Sequence, residues 1–321
     1  MGELTFLGAP HCSLDATALR VVGARAAFLG AGVDTGVMPS RQGTPLGPDA
    51  CRRASAQFAD NPVYEYRLDV GDYWQLVDCG DAASDVADIG RSHAEIRSSV
   101  EVILDGGAVP ILFGGDHSIP IPGMAALCSR LSGRVGYLQI DAHLDTAHDF
   151  AGETRTMASP VARIVEQRNV SPANVAIVGV RGAANSFDEI EAADELGVHV
   201  FPMSECNERG VAAVIEDALD AVADGTEAVY VSFDNDGLDA SCAPGTTSPE
   251  PGGFTAREML TLAAAIGRRG VAMLDVAELS PPFDHGGITA RLDCYWILYI
   301  LASYADALER GEARPPVFAA W

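Results

Sequence analysis

Short apolar runs alternate with longer amphipathic stretches along this chain. The runs are rich in Val, Ile and Leu, which is typical of strands that are buried on both faces of a parallel sheet. We expect six such strands, at Ala26–Leu29, Val109–Phe113, Val135–Ile140, Val175–Val180, Ala228–Phe233 and Val271–Val276.

The stretches between these runs predict helices. The first is Ser84–Gly106, which has apolar residues at helical spacing, namely Val86, Ile89, Ile96, Val100 and Ile103. Three more are expected at Val211–Ala223, Ala256–Arg269 and Leu292–Arg310. Strands that alternate with helices indicate a parallel sheet covered on both faces. No repeat, low-complexity tract or linker divides the chain, so residues 1–321 are predicted to form a single domain.

Polar residues capable of catalysis or metal binding follow four of the predicted strands directly or within two residues. They are Gly114-Gly115-Asp116-His117-Ser118, Asp141-Ala142-His143-Leu144-Asp145, Asp234-Asn235-Asp236 and Glu278. Ligands of open parallel sheets bind beyond the carboxyl ends of the strands. We therefore expect these four groups to converge at one edge of the sheet.

The spacing of the acidic and imidazole groups indicates a metal centre. In an extended segment, residues two apart face the same side, so Asp141, His143 and Asp145 point to one place. An isolated D-x-D motif, such as the one formed by Asp234 and Asp236, is more often a turn. Here it repeats the two-residue spacing of Asp141, His143 and Asp145. The six candidate ligands are His117, Asp141, His143, Asp145, Asp234 and Asp236. A single tetrahedral ion needs about four ligands, so six favour two ions. Four carboxylates with two imidazoles favour Mn²⁺, while Ni²⁺, Co²⁺ and Fe²⁺ stay open.

Composition narrows the range of partners. The formal net charge is −24, and every basic side chain apart from histidine is an arginine. An acidic chain without a basic stripe is a poor match for nucleic acid or for an anionic membrane surface. We find neither a membrane-spanning run nor a secretory signal at the start. Seven scattered cysteines then indicate free thiols, and a cytoplasmic location is expected.

Four motifs carry a family resemblance. They are Gly114–Ser118 (GGDHS), Asp141–Asp145 (DAHLD), Ser232–Gly253 and Asp275–Asp284 (DVAELSPPFD). At these residues the sequence resembles the ureohydrolases, which include arginase, agmatinase and guanidinobutyrase. The resemblance implies an arginase-like three-layer α/β/α sandwich with a central, mainly parallel sheet. It also implies assembly into homo-oligomers, as trimers or hexamers, and leaves a hetero-oligomer with a paralogue open.

The resemblance further implies a role for each site residue. His117 and Asp145 would hold one metal ion, His143 and Asp236 would hold the other, and Asp141 and Asp234 would bridge the two. Asp145 would also orient a hydroxide that bridges the ions and attacks the guanidino carbon, giving urea and an amine. Glu278 would bind the guanidinium of the substrate, for which a carboxylate is the natural partner.

The substrate end of the site departs from the family pattern. Met157 stands where relatives commonly have a histidine, and a thioether cannot transfer a proton. The loop His148–Thr156 is expected to lie over the metals. There Arg155 suits a substrate carboxylate, whereas Asp149 or Glu153 suits an amine. The amino-acid-binding loop of arginase is not recognisable, so arginine itself is disfavoured. Agmatine, a guanidino acid, guanidine and an alkylated guanidine or biguanide stay open.

Two other classes of function compete with an active ureohydrolase. The residue at position 157 is compatible with a non-catalytic or weakly active subunit that supports an active paralogue, although a decayed subunit would be expected to lose metal ligands first. The second competing class is a metal hydrolase with a related fold that cleaves amides. The context of Glu278, DVAELSPP, favours a guanidinium instead.

Overall fold

The protein folds as a three-layer α/β/α sandwich around one parallel sheet of eight strands. The computed structural model describes residues 4–36, 40–85 and 87–318. The strands are β1 (Ala26–Ala31), β2 (Val77–Asp81), β3 (Val109–Gly114), β4 (Arg134–Ile140), β5 (Val175–Val180), β6 (His199–Pro202), β7 (Thr226–Asp234) and β8 (Met273–Ala277). Their order across the sheet is β2-β1-β3-β8-β7-β4-β5-β6, and each neighbouring pair is parallel.

Helices cover both faces of this sheet. They are α1 (Ala16–Val22), α2 (Gly47–Ser55), α3 (Val70–Trp74), α4 (Ile89–Asp105), α5 (Pro120–Arg130), α6 (Pro160–Ile164), α7 (Phe187–Leu196), α8 (Met203–Arg209), α9 (Val211–Ala223), α10 (Ala256–Arg269) and α11 (Ile288–Glu309). Helices α2, α3 and α8 to α11 contribute to one apolar core. Helices α1 and α4 to α7 contribute to the other.

Alternation along each strand explains why two separate cores form. Successive side chains of a strand point to opposite faces of the sheet. In β1, Phe28 lies in the first core and Leu29 in the second. In β4, Leu138 lies in the first and Tyr137 in the second. A strand between two helical layers must be apolar at every position, which is why the inner strands read as continuous apolar runs.

The sequence predictions for the fold are largely confirmed. All six predicted strands are present, with ends shifted by at most two residues. The predicted segments Val211–Ala223 and Ala256–Arg269 match α9 and α10 at both ends. The sheet is parallel and covered on both faces, as expected.

Two predicted helix boundaries are wrong, and capping explains both. Helix α4 begins at Ile89 rather than Ser84, because the Asp88 side chain accepts the Arg91 N–H at 2.9 Å and caps the helix there. The sequence pattern also assigns Val86 to this helix, but Val86 lies outside the described residues. Helix α11 begins at Ile288 rather than Leu292, because the Asp284 carboxylate accepts two N–H groups of its first turn.

Helix α11 is the longest of the described helices, and most of its residues are buried, chiefly against α10 and α2. Within the described parts of the chain, no helix combines the length and apolarity needed to cross a membrane. All seven cysteines are free, and six of them are buried.

Candidate metal centre

The four motif-bearing strands are neighbours in the centre of the sheet, in the order β3-β8-β7-β4. His117 follows β3, Glu278 follows β8, and the two carboxylate motifs follow β7 and β4. Parallel strands end at the same edge, so these side chains gather there. The expected convergence at one sheet edge is confirmed.

The first group of candidate ligands surrounds the His117 ring. Its Nδ1 atom lies 2.7 Å from Asp145 Oδ2, 3.0 Å from Asp141 Oδ2 and 3.2 Å from Asp234 Oδ2. All four side chains are buried. One ring nitrogen cannot serve three carboxylates as a hydrogen-bond donor, so the group fits a cation better than a hydrogen-bond network.

The second group consists of Asp141, His143 and Asp236. His143 Nδ1 lies 3.2 Å from Asp236 Oδ2 and 3.5 Å from Asp141 Oδ1. His143 Nε2 and Asp236 Oδ2 are buried but have no hydrogen-bond partner. Buried polar atoms without a partner are costly, and a bound ion would satisfy them. Asp141 therefore offers Oδ2 to the first group and Oδ1 to the second, and the two potential metal sites share it.

The electrostatics of the cluster also call for positive charge. Burial, followed by the charge of Asp141, raises the pKa of Asp145 to about 7. Burial and the charges of Asp236 and Asp141 raise the pKa of Asp234 well above its usual value. Burial disfavours a charged His117 ring, but the surrounding carboxylates outweigh burial and raise its pKa. Divalent ions relieve this strain because they neutralise the carboxylates directly.

A chain of buried hydrogen bonds fixes the orientation of His117. Its Nε2 atom lies 2.9 Å from Ser232 Oγ, and Ser232 in turn donates to Asp275 Oδ1 at 2.9 Å. Gln139 Nε2 donates to Asp141 Oδ2 at 2.8 Å and to Asp145 Oδ2 at 3.1 Å.

Sequence reasoning missed these supporting residues. Gln139, Ser232 and Asp275 each interrupt one of the predicted apolar runs, and each is completely buried. A polar residue inside a buried apolar run is itself a signal, because such a residue needs a partner in the folded protein.

Glu278 is completely buried beside His117. Its Oε1 accepts the His117 backbone N–H at 2.7 Å, and its Oε2 accepts the Thr247 hydroxyl. Glu278 and Asp145 both have left-handed backbone angles, with φ of +64° and +52°. Such angles in residues other than glycine cost free energy and concentrate at functional sites.

Gly115 allows the GGDHS loop to lie against the end of β1. Its carbonyl accepts the Glu278 N–H at 2.9 Å. A Cβ at position 115 would lie 2.3 Å from Val33 O and 2.6 Å from Ala31 O. Only glycine fits at this approach, which sets the position of His117 two residues later.

A cavity of about 490 Å³ adjoins the cluster and reaches His143 and Asp145. Of the residues predicted to contact substrate, Asp149 and Met157 line this cavity. Glu153, Arg155 and Glu278 do not line it. Arg155 Nε lies 3.0 Å from Glu153 Oε1, and its Nη1 lies so close to Gly90 in α4 that a Cβ there would be 2.5 Å away.

The fold and the cluster define the class of this protein: an α/β/α sandwich whose site carries the donor set for divalent cations. A sequence profile of the Arginase family matches residues 24–302. The mitochondrial agmatinase of Gallus gallus is 32% identical over 274 residues, which are 84% of this chain and 78% of that protein. The guanidinopropionase of Pseudomonas aeruginosa is 32% identical over 273 residues, which are 85% of this chain and 84% of that protein.

A solved structure agrees with the sequence comparisons. The proclavaminate amidino hydrolase of Streptomyces clavuligerus superposes with a TM-score of 0.84 at 28% identity, over 96% of this chain and 98% of that chain. The chain belongs to the arginase family, as its motifs indicated.

Proposed function

We propose that this chain is a dinuclear-metal ureohydrolase that cleaves a small guanidino compound other than arginine into urea and an amine. The observation that carries the proposal is the sharing of Asp141 between two groups of ligands, one around His117 and Asp145 and one around His143 and Asp236. Two adjacent ions with a shared carboxylate are a recurrent arrangement in metal-dependent hydrolases.

In this proposal, His117, Asp145, Asp141 and Asp234 hold one ion, and His143 and Asp236 hold the other together with the same two bridges. The mixture of carboxylate and imidazole donors favours Mn²⁺, with Ni²⁺ or Co²⁺ as alternatives. Two bound divalent ions would supply an ionised water as nucleophile and would stabilise the charge that develops during its attack.

The protein side chains supply binding and proton transfer. Of the candidate ligands, Asp145 and His143 are the two that reach the cavity. Asp145 is therefore positioned to orient the nucleophile and to pass a proton to the leaving amine. Glu278 provides a buried carboxylate for the guanidinium, held in place by His117 N–H and the Thr247 hydroxyl.

The extent of the catalytic unit is also part of the proposal. The family match spans residues 24–302, and all eight strands lie in one sheet, which supports a single catalytic domain over residues 1–321. Assembly into a trimer or hexamer, or with a paralogue, stays a prediction from the resemblance.

Urea release by the purified protein tests the proposal. The protein is loaded separately with Mn²⁺, Ni²⁺ and Co²⁺ and offered agmatine, 4-guanidinobutyrate, 3-guanidinopropionate, arginine, guanidine and an N-alkylated biguanide. Asp141→Asn serves as the inactive variant. Asp224→Asn serves as the matched control, because Asp224 is exposed and precedes β7 at the opposite edge of the sheet.

We expect urea and one equivalent of amine from at least one compound, with activity lost in Asp141→Asn and kept in Asp224→Asn. If two ions bind per chain but none of the compounds gives urea, the catalytic proposal fails. A supporting role beside an active paralogue then becomes the better explanation.

A further inference from the structure

The cavity beside His143 and Asp145 has walls that are mainly apolar. It lies between the segment that follows β4 and the start of α7. Its apolar side chains come from both sides and are Ala147, Phe150, Met157, Ala158, Ala184 and Ala192. Because the cavity adjoins the two candidate ligands that are most accessible, a molecule held at the cluster would extend its remaining atoms into this space.

The charged groups around the cavity are acidic. Asp149, Asp188 and Glu189 line it. Glu189 is already engaged, because its carboxylate accepts the Ser186 N–H and hydroxyl as the cap of α7. His148 also lines the cavity, and its Nδ1 lies 3.5 Å from Asp149 Oδ2. None of the described residues that line the cavity is an arginine, and the chain contains no lysine.

Arg155 is close in sequence to the residues that line the cavity, but its side chain is held outside the cavity. Arg155 pairs with Glu153 through Nε at 3.0 Å, and Glu153 Oε1 also accepts the Arg155 backbone N–H at 3.0 Å. The guanidinium rests on the first turn of α4, against Gly90. Its charge is felt by His93 of the same helix, whose pKa is lowered to about 4 by burial and, after burial, by Arg155.

We propose that this cavity receives the tail of the substrate and selects a guanidine whose tail is apolar and carries no carboxylate. The inference rests on the function proposed above and narrows its substrate class. An alkyl tail gains by burial against the apolar walls. A carboxylate tail would lose its hydration without gaining a cationic partner, and it would face Asp149 and Asp188.

Met157 makes the central contribution to this selectivity. It is half-buried and stands in the cavity wall, where a flexible thioether packs against alkyl groups of varied shape. Each methylene that becomes buried in the cavity should raise kcat/KM about fourfold, which corresponds to about 0.8 kcal/mol.

A pair of compounds of equal length tests the proposal. Butylguanidine and 4-guanidinobutyrate differ only in a methyl group against a carboxylate at the end of the tail. The metal-loaded protein is assayed for urea release from each, and binding of each is measured by calorimetry. We expect butylguanidine to exceed 4-guanidinobutyrate by about tenfold or more in kcat/KM and in affinity.

Two variants separate the contributions of Met157 and Arg155. Met157→Arg places a cation in the cavity wall and should shift the ratio toward 4-guanidinobutyrate. Arg155→Gln should leave the ratio unchanged, because the guanidinium points to α4. If Arg155→Gln instead abolishes the handling of 4-guanidinobutyrate, the arginine reaches the tail and the proposal is wrong.

The outcomes distinguish this inference from the proposed function. If urea is released but 4-guanidinobutyrate is preferred, the tail inference fails and the ureohydrolase proposal stands. If no urea is released but calorimetry shows binding of butylguanidine and not of 4-guanidinobutyrate, the cavity assignment stands and the catalytic proposal fails. If neither compound binds, the tail inference is overturned.

Discussion

The hydrogen bond between Ser232 and His117 should affect the affinity of the cluster for metal ions. The hydroxyl of Ser232 has one proton, which it donates to Asp275 Oδ1 at 2.9 Å. Its oxygen must therefore accept the Nε2 proton of His117, also at 2.9 Å. With Nε2 committed to Ser232, Nδ1 is the ring nitrogen that faces Asp145 and Asp141 and would bind a metal ion once it has lost its proton.

The substitution Ser232→Ala removes both hydrogen bonds and leaves two buried atoms, His117 Nε2 and Asp275 Oδ1, without the hydroxyl partner. His117 and Asp275 are almost completely buried, so water cannot replace the hydroxyl. We expect the free energy of unfolding of the metal-free protein to fall by about 1–3 kcal/mol. Loss of such a supporting partner typically lowers metal affinity by about 10–100-fold, or about 1.4–2.7 kcal/mol.

Calorimetric titration with Mn²⁺, together with denaturant unfolding of the metal-free protein, measures both effects. Ser303→Ala is the matched control: Ser303 is a buried serine on α11 whose hydroxyl donates to Ala264 O at 2.8 Å, away from the cluster. It should reduce stability but leave the affinity for Mn²⁺ unchanged. Wild-type affinity in Ser232→Ala, or an equal loss in Ser303→Ala, would refute the assigned role of Ser232.

Three further predictions concern stability. Gly115→Ala should destabilise the protein by more than about 3 kcal/mol and abolish Mn²⁺ binding, because its Cβ would lie 2.3 Å from Val33 O; a wild-type melting temperature would contradict this. Arg52→Met should cost about 3–5 kcal/mol in denaturant unfolding, because it leaves Asp78 buried without its bidentate partner, and adding Asp78→Leu should recover part of the loss. His93 has a folded-state pKa of about 4, below its ordinary 6.5, so the unfolded chain takes up a proton first. Stability should therefore fall between pH 6.5 and pH 4, by up to about 3 kcal/mol more than in His93→Gln, and parallel pH profiles would disprove it.

The parts of the fold that the sequence revealed are those where packing dictates composition. The inner strands lie between two helical layers, so every position is apolar and the runs stand out. The edge strands β2 (VDCGD) and β6 (HVFP) contain polar residues or proline, so neither forms a detectable apolar run. Helices α3 and α6 have five residues each, too few to show a helical period.

The candidate site also contains some residues that the sequence could predict and others that it could not. The cluster residues could be predicted because D-x-H-x-D directly after a buried strand is chemically specific, and a D-x-D at the end of a second buried strand repeats its spacing. The supporting residues Ser232, Gln139 and Asp275 depend on which strands are neighbours, which pairwise spacing along the chain does not encode. The orientation of the Arg155 side chain depends on the path of a loop. The guanidinium pairs with Glu153 and lies toward α4 rather than toward the cavity.

Sharing of Asp141 between two ions is the central claim, and electron paramagnetic resonance tests it without knowledge of the substrate. The protein is loaded with two Mn²⁺ per chain, and its spectrum is compared with that of Asp141→Asn. Two ions about 3.5–4 Å apart that share carboxylates should give an exchange-coupled spectrum, and Asp141→Asn should weaken that coupling, because Asp234 is then the one bridging carboxylate left. An uncoupled Mn²⁺ spectrum in the fully loaded wild-type protein would contradict the dinuclear centre and the reaction derived from it.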